Sequence, residues 1–180
     1  METARELFVH ELNDMLDAER KLIDALGDLA EQSSRPELKK AFAGHQKQTE
    51  EQARRLEQIF EELDESPKGE ECKGIKGLIE EQQTFTEEED PAEDIRDIFN
   101  VGAASKVEAY EIQAYTSLTR MAQELGLRKA KQLLDRNLRE EQQTLKKMDM
   151  FAKKLKPENL GMEEEEDEME RPKSRGRRVA

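Results

Sequence analysis

Apolar residues recur in steps of three and four over four long stretches, the signature of helices that bury one face. The first stretch runs from about Thr3 to Gln32 and carries Phe8, Leu12, Leu16, Leu22, Ile23, Leu26 and Ala30. Ser33 to Glu37 interrupts it. There Ser34 with Glu37 reads as a capping box, and Pro36 falls in the first turn, where its missing N–H does no harm. The second stretch, about Arg35 to Glu65, has Leu38, Phe42, Leu56, Ile59, Phe60 and Leu63 on one face, and so short a loop demands an antiparallel hairpin. Ser66-Pro67-Lys68-Gly69 closes it. A weaker helix is predicted over Glu70 to Glu88, with Cys72, Ile75, Leu78, Ile79 and Gln82 on one side. Asp90-Pro91-Ala92-Glu93 reads as N-cap, first-turn proline and first-turn acid. The third long helix follows from about Pro91 to Leu125, carrying Ile95, Phe99, Val107, Ala114, Leu118 and Met121, and Gly126 ends it. The fourth, about Arg128 to Lys156, shows Leu133, Leu134, Leu138, Met148, Phe151 and Leu155 before Pro157.

Hairpin, long crossover with a short fifth helix, hairpin: the plan is all-α, a four-helix bundle in the ferritin-like arrangement. It occupies residues 1–160. Beyond Gly161 the periodicity stops. Glu163 to Glu170 holds seven acids in eight positions and Arg171 to Ala180 five bases, so residues 161–180 read as a disordered acidic-then-basic tail.

Composition narrows the picture further. Of 180 residues, 41% are charged and 34% apolar, thin for a globular core but workable for long amphipathic helices. Aromatic content of 4% without tryptophan argues against a sheet protein. A formal charge of −13 argues against nucleic-acid binding through the bundle, which needs clustered Lys and Arg. The single cysteine excludes an intramolecular disulfide or a cysteine zinc site. No apolar run is long enough to span a bilayer and the N-terminus lacks a signal-peptide layout, so the expected setting is cytoplasmic.

Candidate chemistry lies where the apolar stripes break. In the first helix Glu19 takes a seam position between Leu16 and Ile23. In the third, Glu111 takes the slot between Val107 and Ala114, with Glu108 one turn away at the seam's edge. In the fourth, Glu141 follows Asn137 or Leu138 and precedes Thr144 or Leu145. The second places His45, Thr49 and Gln52 between Phe42 and Leu56. Counting back from the hairpin turns puts Glu19 level with His45 and Thr49, and Glu111 beside Glu141. Unpaired buried carboxylates are costly, and carboxylate and imidazole groups converging inside a bundle are how di-iron and di-manganese sites are built. A bound divalent ion would compensate them. The competing reading is that each Glu sits at a helix boundary and reaches solvent.

At these residues the sequence resembles the YciE/YciF family of ferritin-like bacterial proteins. The matching stretches include Glu6-Leu7-Phe8 with Glu11-Leu12, Asp17-Ala18-Glu19, Pro36-Glu37-Leu38, His45 with Thr49, Arg55-Leu56-Glu57, Lys106-Val107-Glu108, Tyr110-Glu111-Ile112 with Ala114-Tyr115, and Leu138 with Glu140-Glu141 and Thr144. Together they span about residues 3 to 155. The resemblance implies a rubrerythrin-related bundle, a stress-response role, and ferroxidase or peroxide-scavenging chemistry at a metal site. Its ligands would be Glu19, His45, Glu108, Glu111 and Glu141, holding iron as one or two ions, with manganese and zinc as alternatives. A typical site of this fold carries Glu-x-x-His on the second and fourth bundle helices. Here those positions read Thr49-x-x-Gln52 and Glu141-x-x-Thr144, and no bridging Glu is evident on the second helix unless Glu50 turns inward. A non-catalytic structural or interaction module that has lost di-metal chemistry therefore stands as the alternative. Proteins of this size and fold usually associate, and a homodimer is expected.

His10 falls off the stripe and reads as a solvated helix residue. Cys72 has no partnering His nearby and reads as packing. Tyr115 is expected to pack with its hydroxyl bonded near the site.

Overall fold

In the computed structural model, which describes residues 1–155, five helices follow one another: α1 (Ala4–Gln32), α2 (Pro36–Leu63), α3 (Lys73–Glu89), α4 (Glu93–Glu124) and α5 (Arg128–Lys154). α1 packs chiefly on α2, and α4 on α5. The hairpins meet through α2 with α5 and α1 with α4, while α3 lies across α4 and α1. This is the all-α, ferritin-like bundle of two antiparallel hairpins joined by a long crossover. The predicted tail at 161–180 and the helix stop at Pro157 lie outside the described residues.

Each terminus follows from local chemistry. Thr3 and Glu6 form a capping box at the start of α1: the Glu6 amide donates to Thr3 Oγ1 at 3.1 Å and the Thr3 amide to Glu6 Oε2 at 3.2 Å. At the end of α4, Gly126 takes φ +73°, its amide reaches the Gln123 carbonyl at 3.1 Å, and the Leu127 amide reaches that of Ala122 at 2.8 Å. That paired arrangement satisfies carbonyls that the helix end would otherwise orphan. α2 and α3 end on aspartates in the left-handed region, Asp64 at φ 55° and Asp90 at φ 40°.

Three expectations at the helix ends need correction. Ser34 does not cap α2, whose N-cap is Arg35 without a side-chain bond. Its hydroxyl and amide instead donate to Asp97 of α4, at 2.7 and 3.1 Å. Asp90 closes α3 rather than opening α4, whose N-cap is Ala92. Ile95 is exposed, and Asp97 and Asn100 take the buried positions in its place. The reason is the neighbourhood: this end of α4 faces the polar α1–α2 turn and the Gln82 amide, which donates to Asn100 at 2.9 Å. Phe99, half-buried, stacks on Phe85 of α3 with ring centroids 3.8 Å apart.

Further along α4 the buried line runs through Val101, Ala104, Glu108, Glu111, Tyr115, Leu118 and Ala122. Glu108 therefore lies in the seam and not at its edge, while Val107, Ala114 and Met121 are half-buried beside it. In α1 and α2 most of the stripe is buried, as are Leu134 and Met148 of α5. Phe8, Leu12, Leu16, Phe42, Leu56, Ile59, Leu118, Leu134 and Met148 are at most 1% exposed. They leave the middle of the bundle to polar groups.

Candidate metal centre

All four long helices turn polar side chains inward at the same level. α1 supplies Glu19; α2 supplies His45, Thr49 and Gln52; α4 supplies Glu108, Glu111 and Tyr115; α5 supplies Asn137, Glu141 and Thr144. The five residues singled out in the sequence are all at most 5% exposed, so none is a boundary glutamate reaching solvent.

Three of the five converge tightly. His45 Nδ1 lies 3.4 Å from Glu108 Oε1, and its Nε2 lies 3.4 Å from Glu141 Oε2. One donor atom of each residue fits within 4.8 Å of the others. Neither imidazole nitrogen is hydrogen-bonded, and Glu108 Oε2 and Glu141 Oε2 also lack a partner. Glu19 and Glu111 stand outside this tight trio but border it, and Glu19 Oε2 and Glu111 Oε1 are likewise unpartnered.

The carboxylates of this layer act on one another through their charges. Burial pushes the Glu111 carboxyl far above the usual range, and Glu19, Glu141 and Glu108 push it further. Burial and then the Glu141 charge do the same to Glu19, against the opposing hydrogen bond from Tyr115. Burial raises Glu108, and Glu141 is near enough to raise it again by charge and hydrogen bonding, with Lys147 pulling the other way. Burial raises the Tyr115 hydroxyl too, followed by the Glu19 charge.

Further side chains fix this layer. The Tyr115 hydroxyl donates to Glu19 Oε1, and Gln52 Nε2 donates to Glu141 Oε1. Asn137 Nδ2 donates to the Tyr115 oxygen at 3.0 Å. Arg55 donates to Asn137 Oδ1 at 2.7 Å and to both oxygens of Glu140, at 2.6 and 3.1 Å. Tyr115 thus does as its position suggested. Arg55 and Asn137 have roles that spacing alone did not reveal, although Arg55 follows Gln52 by one helical step. Thr49 and Thr144 are buried beside the carboxylates without charge of their own. Glu50 does not turn inward; its side chain is 44% exposed and lies 3.9 Å from Arg54.

Among the described residues, these four buried carboxylates thus face a single buried guanidinium, Arg55, already engaged by Glu140. Such a surplus needs protons or a cation. A mixed carboxylate–imidazole donor set with free oxygens and a free ring nitrogen suits iron, manganese or zinc. The residues present fit a metal ion.

Two other sequence candidates lie apart from this layer. His10 is half-exposed and pairs with Glu70. Cys72 is buried with Sγ 3.5 Å from the Tyr110 hydroxyl. Burial raises its thiol pKa above the usual value. Native protein is therefore expected to react with a thiol-disulfide reagent at least about tenfold more slowly than unfolded protein. Equal rates would contradict this placement.

Comparison with known proteins agrees with this architecture. A family model described as a domain of unknown function, DUF892, matches residues 3–161. The protein YciF of Escherichia coli K12 is 39% identical over 145 residues, covering 80% of this chain and 87% of its own. The crystal structure of that stress protein superposes with a TM-score of 0.82 at 37% identity, over 86% of this chain and 98% of that one. YcfI from Rhodopseudomonas palustris, whose description suggests a structural role, gives 0.79 at 34% identity, over 83% and 94%. No described helix is long and apolar enough to cross a membrane.

Proposed function

The chain belongs to the DUF892 family, and from that premise we propose that its bundle interior binds iron in a stress-response role. The observation that carries this reading is the set of unpartnered donor atoms on His45, Glu108, Glu141, Glu19 and Glu111 at one level of the core. Iron held by these residues would supply a redox couple able to pass electrons to dioxygen or peroxide, the chemistry of a ferroxidase.

The chain's own groups prepare that site. Gln52 holds one oxygen of Glu141 and leaves the other free. Tyr115 does the same for Glu19, and Asn137 fixes the tyrosine from behind. The imidazole offers Nε2 towards Glu141 and Nδ1 towards Glu108, so either nitrogen can serve as ligand while the other meets a carboxylate. Burial limits water, which strengthens each of these electrostatic contacts.

The test is metal content after anaerobic Fe(II) loading and desalting. About one to two irons per chain are expected in the native protein, as in other carboxylate bundles. None is expected in a variant with glutamine at 19, 111 and 141. Retention of neither iron nor manganese by the native protein would overturn the proposal. The second reading, a bundle kept as a structural or interaction module, is favoured by Thr49, Gln52 and Thr144, which stand where the fuller ligand set of this fold has charged or imidazole groups. It predicts that failure.

A further inference from the structure

The crossover helix does not seal the bundle completely. Beneath it is a slot of about 30 Å³, walled by Leu22 and Leu26 of α1, Leu78 and Ile79 of α3, and Ala104 and Val107 of α4. Its surface is mostly apolar, and His45, Glu108 and Gln82 supply its polar lining. The space exists because α4 carries alanines at 103 and 104 and α1 one at 25, where longer side chains would fill it. On another side of His45 lies an open groove of about 420 Å³, bordered by Lys40, Gln48 and Lys147. The same imidazole thus borders a mostly apolar slot and an open, basic groove.

These surroundings select by chemistry. Cavities walled mostly by Leu, Ile, Val and Ala favour apolar guests, and this one exceeds the roughly 10–15 Å³ that a single water-sized molecule needs. A hydrated cation or a charged oxidant would lose solvation along the apolar walls before it reached His45 and Glu108. We propose that the slot under α3 binds a small, uncharged, apolar molecule of the dioxygen class and admits it to the Glu108–His45 face of the polar layer. The use of the slot rests on the metal-binding reading. Its occupancy does not, and can be measured without metal.

The probe is xenon, followed through methyl chemical shifts of the metal-free full chain. Saturable shifts confined to Leu26, Leu78, Ile79 and Val107 are expected, and Ala104→Leu, which fills the slot, should abolish them. Ile79→Ala should enlarge the slot and tighten xenon binding severalfold, which keeps the test decisive if the leucine variant does not fold. Absent or scattered shifts in the native protein, or an Ile79→Ala variant that binds xenon no better, would overturn the proposal. With Fe(II) loaded, nitric oxide should associate severalfold more slowly with Ala104→Leu than with native protein at equal iron content. Equal rates would overturn the access role. Saturable xenon binding in a protein that retains no iron would leave the gas site standing and remove the metal-binding reading instead.

Discussion

Replacing Glu19, Glu111 and Glu141 together by glutamine is expected to make the metal-free protein more stable at neutral pH, by about 1–4 kcal/mol. A gain of that size would raise the melting temperature by at least about 2–4 °C in a domain of this length. The direction follows from the surroundings. Each carboxylate is buried among others, and a glutamine keeps an acceptor oxygen for Tyr115 or Gln52 without adding charge. The same physics sets the pH dependence. Folding raises the Glu19, Glu108 and Glu111 carboxyls above their ordinary value of 4.5. Between the unfolded and folded values the native state therefore binds more protons than the unfolded one, and stability falls as pH rises through that window. Metal-free native protein should thus gain stability when taken from pH 7 down towards pH 5, at about 1.4 kcal/mol for each group and pH unit fully inside the window. The triple variant should show a much flatter profile. Metal should reverse the ranking, since an ion bound only by the native state stabilises it by about 4.1 kcal/mol at a thousand times its dissociation constant. Thermal melts in chelator and in Fe(II), across pH, measure all of this. A triple variant less stable than the native protein in chelator would show that the carboxylates are already well compensated.

Arg55→Ala should be the most damaging single change at the centre, costing about 3–5 kcal/mol in urea denaturation. Arg55 is 6% exposed and holds Asn137 and Glu140 at once. Burial alone would raise the Glu140 carboxyl, but the Arg55 hydrogen bond and charge, aided by Arg136, outweigh it and hold it below the usual range. Removing the guanidinium strands an acceptor on Asn137 and takes from Glu19 a positive charge that opposes the effect of its burial. Arg55→Met, which keeps the packing volume, should lose less than the alanine. A cost below about 1 kcal/mol for the alanine would mean that the pair behaves like a surface salt bridge.

The bundle was legible because helical periodicity depends on which side chains are apolar, and long uninterrupted stripes leave few alternatives. The candidate site was legible for the opposite reason. Glu19, Glu111 and Glu141 interrupt those stripes where a boundary residue would not. The start of α4 misled because its stripe is polar where it should be apolar: Asp97 and Asn100 are buried by partners in the α1–α2 turn and α3, remote in sequence. Ser34 misled for the same reason, since a capping pattern says nothing of a competing carboxylate arriving from another helix. Asn137 was legible only as an alternative to Leu138 in the stripe and Arg55 only within a matching stretch, and their mutual contact across α2 and α5 is what gives them a role.

The bonds that tie one hairpin to the other share a character. Ser34 to Asp97, Arg35 to Asp94, Tyr115 to Glu19, Gln52 to Glu141 and Arg55 to Asn137 all join the α1–α2 pair to the α4–α5 pair, and all are polar and directional. Leucine faces tolerate sliding; such bonds do not. Displacing one hairpin by a single helical turn, about 5.4 Å, would break every one of them while leaving much of the apolar contact in place. The polar layer that weakens the core thus acts as a key for axial register, and a bundle relieved of it would be free to settle in more than one alignment.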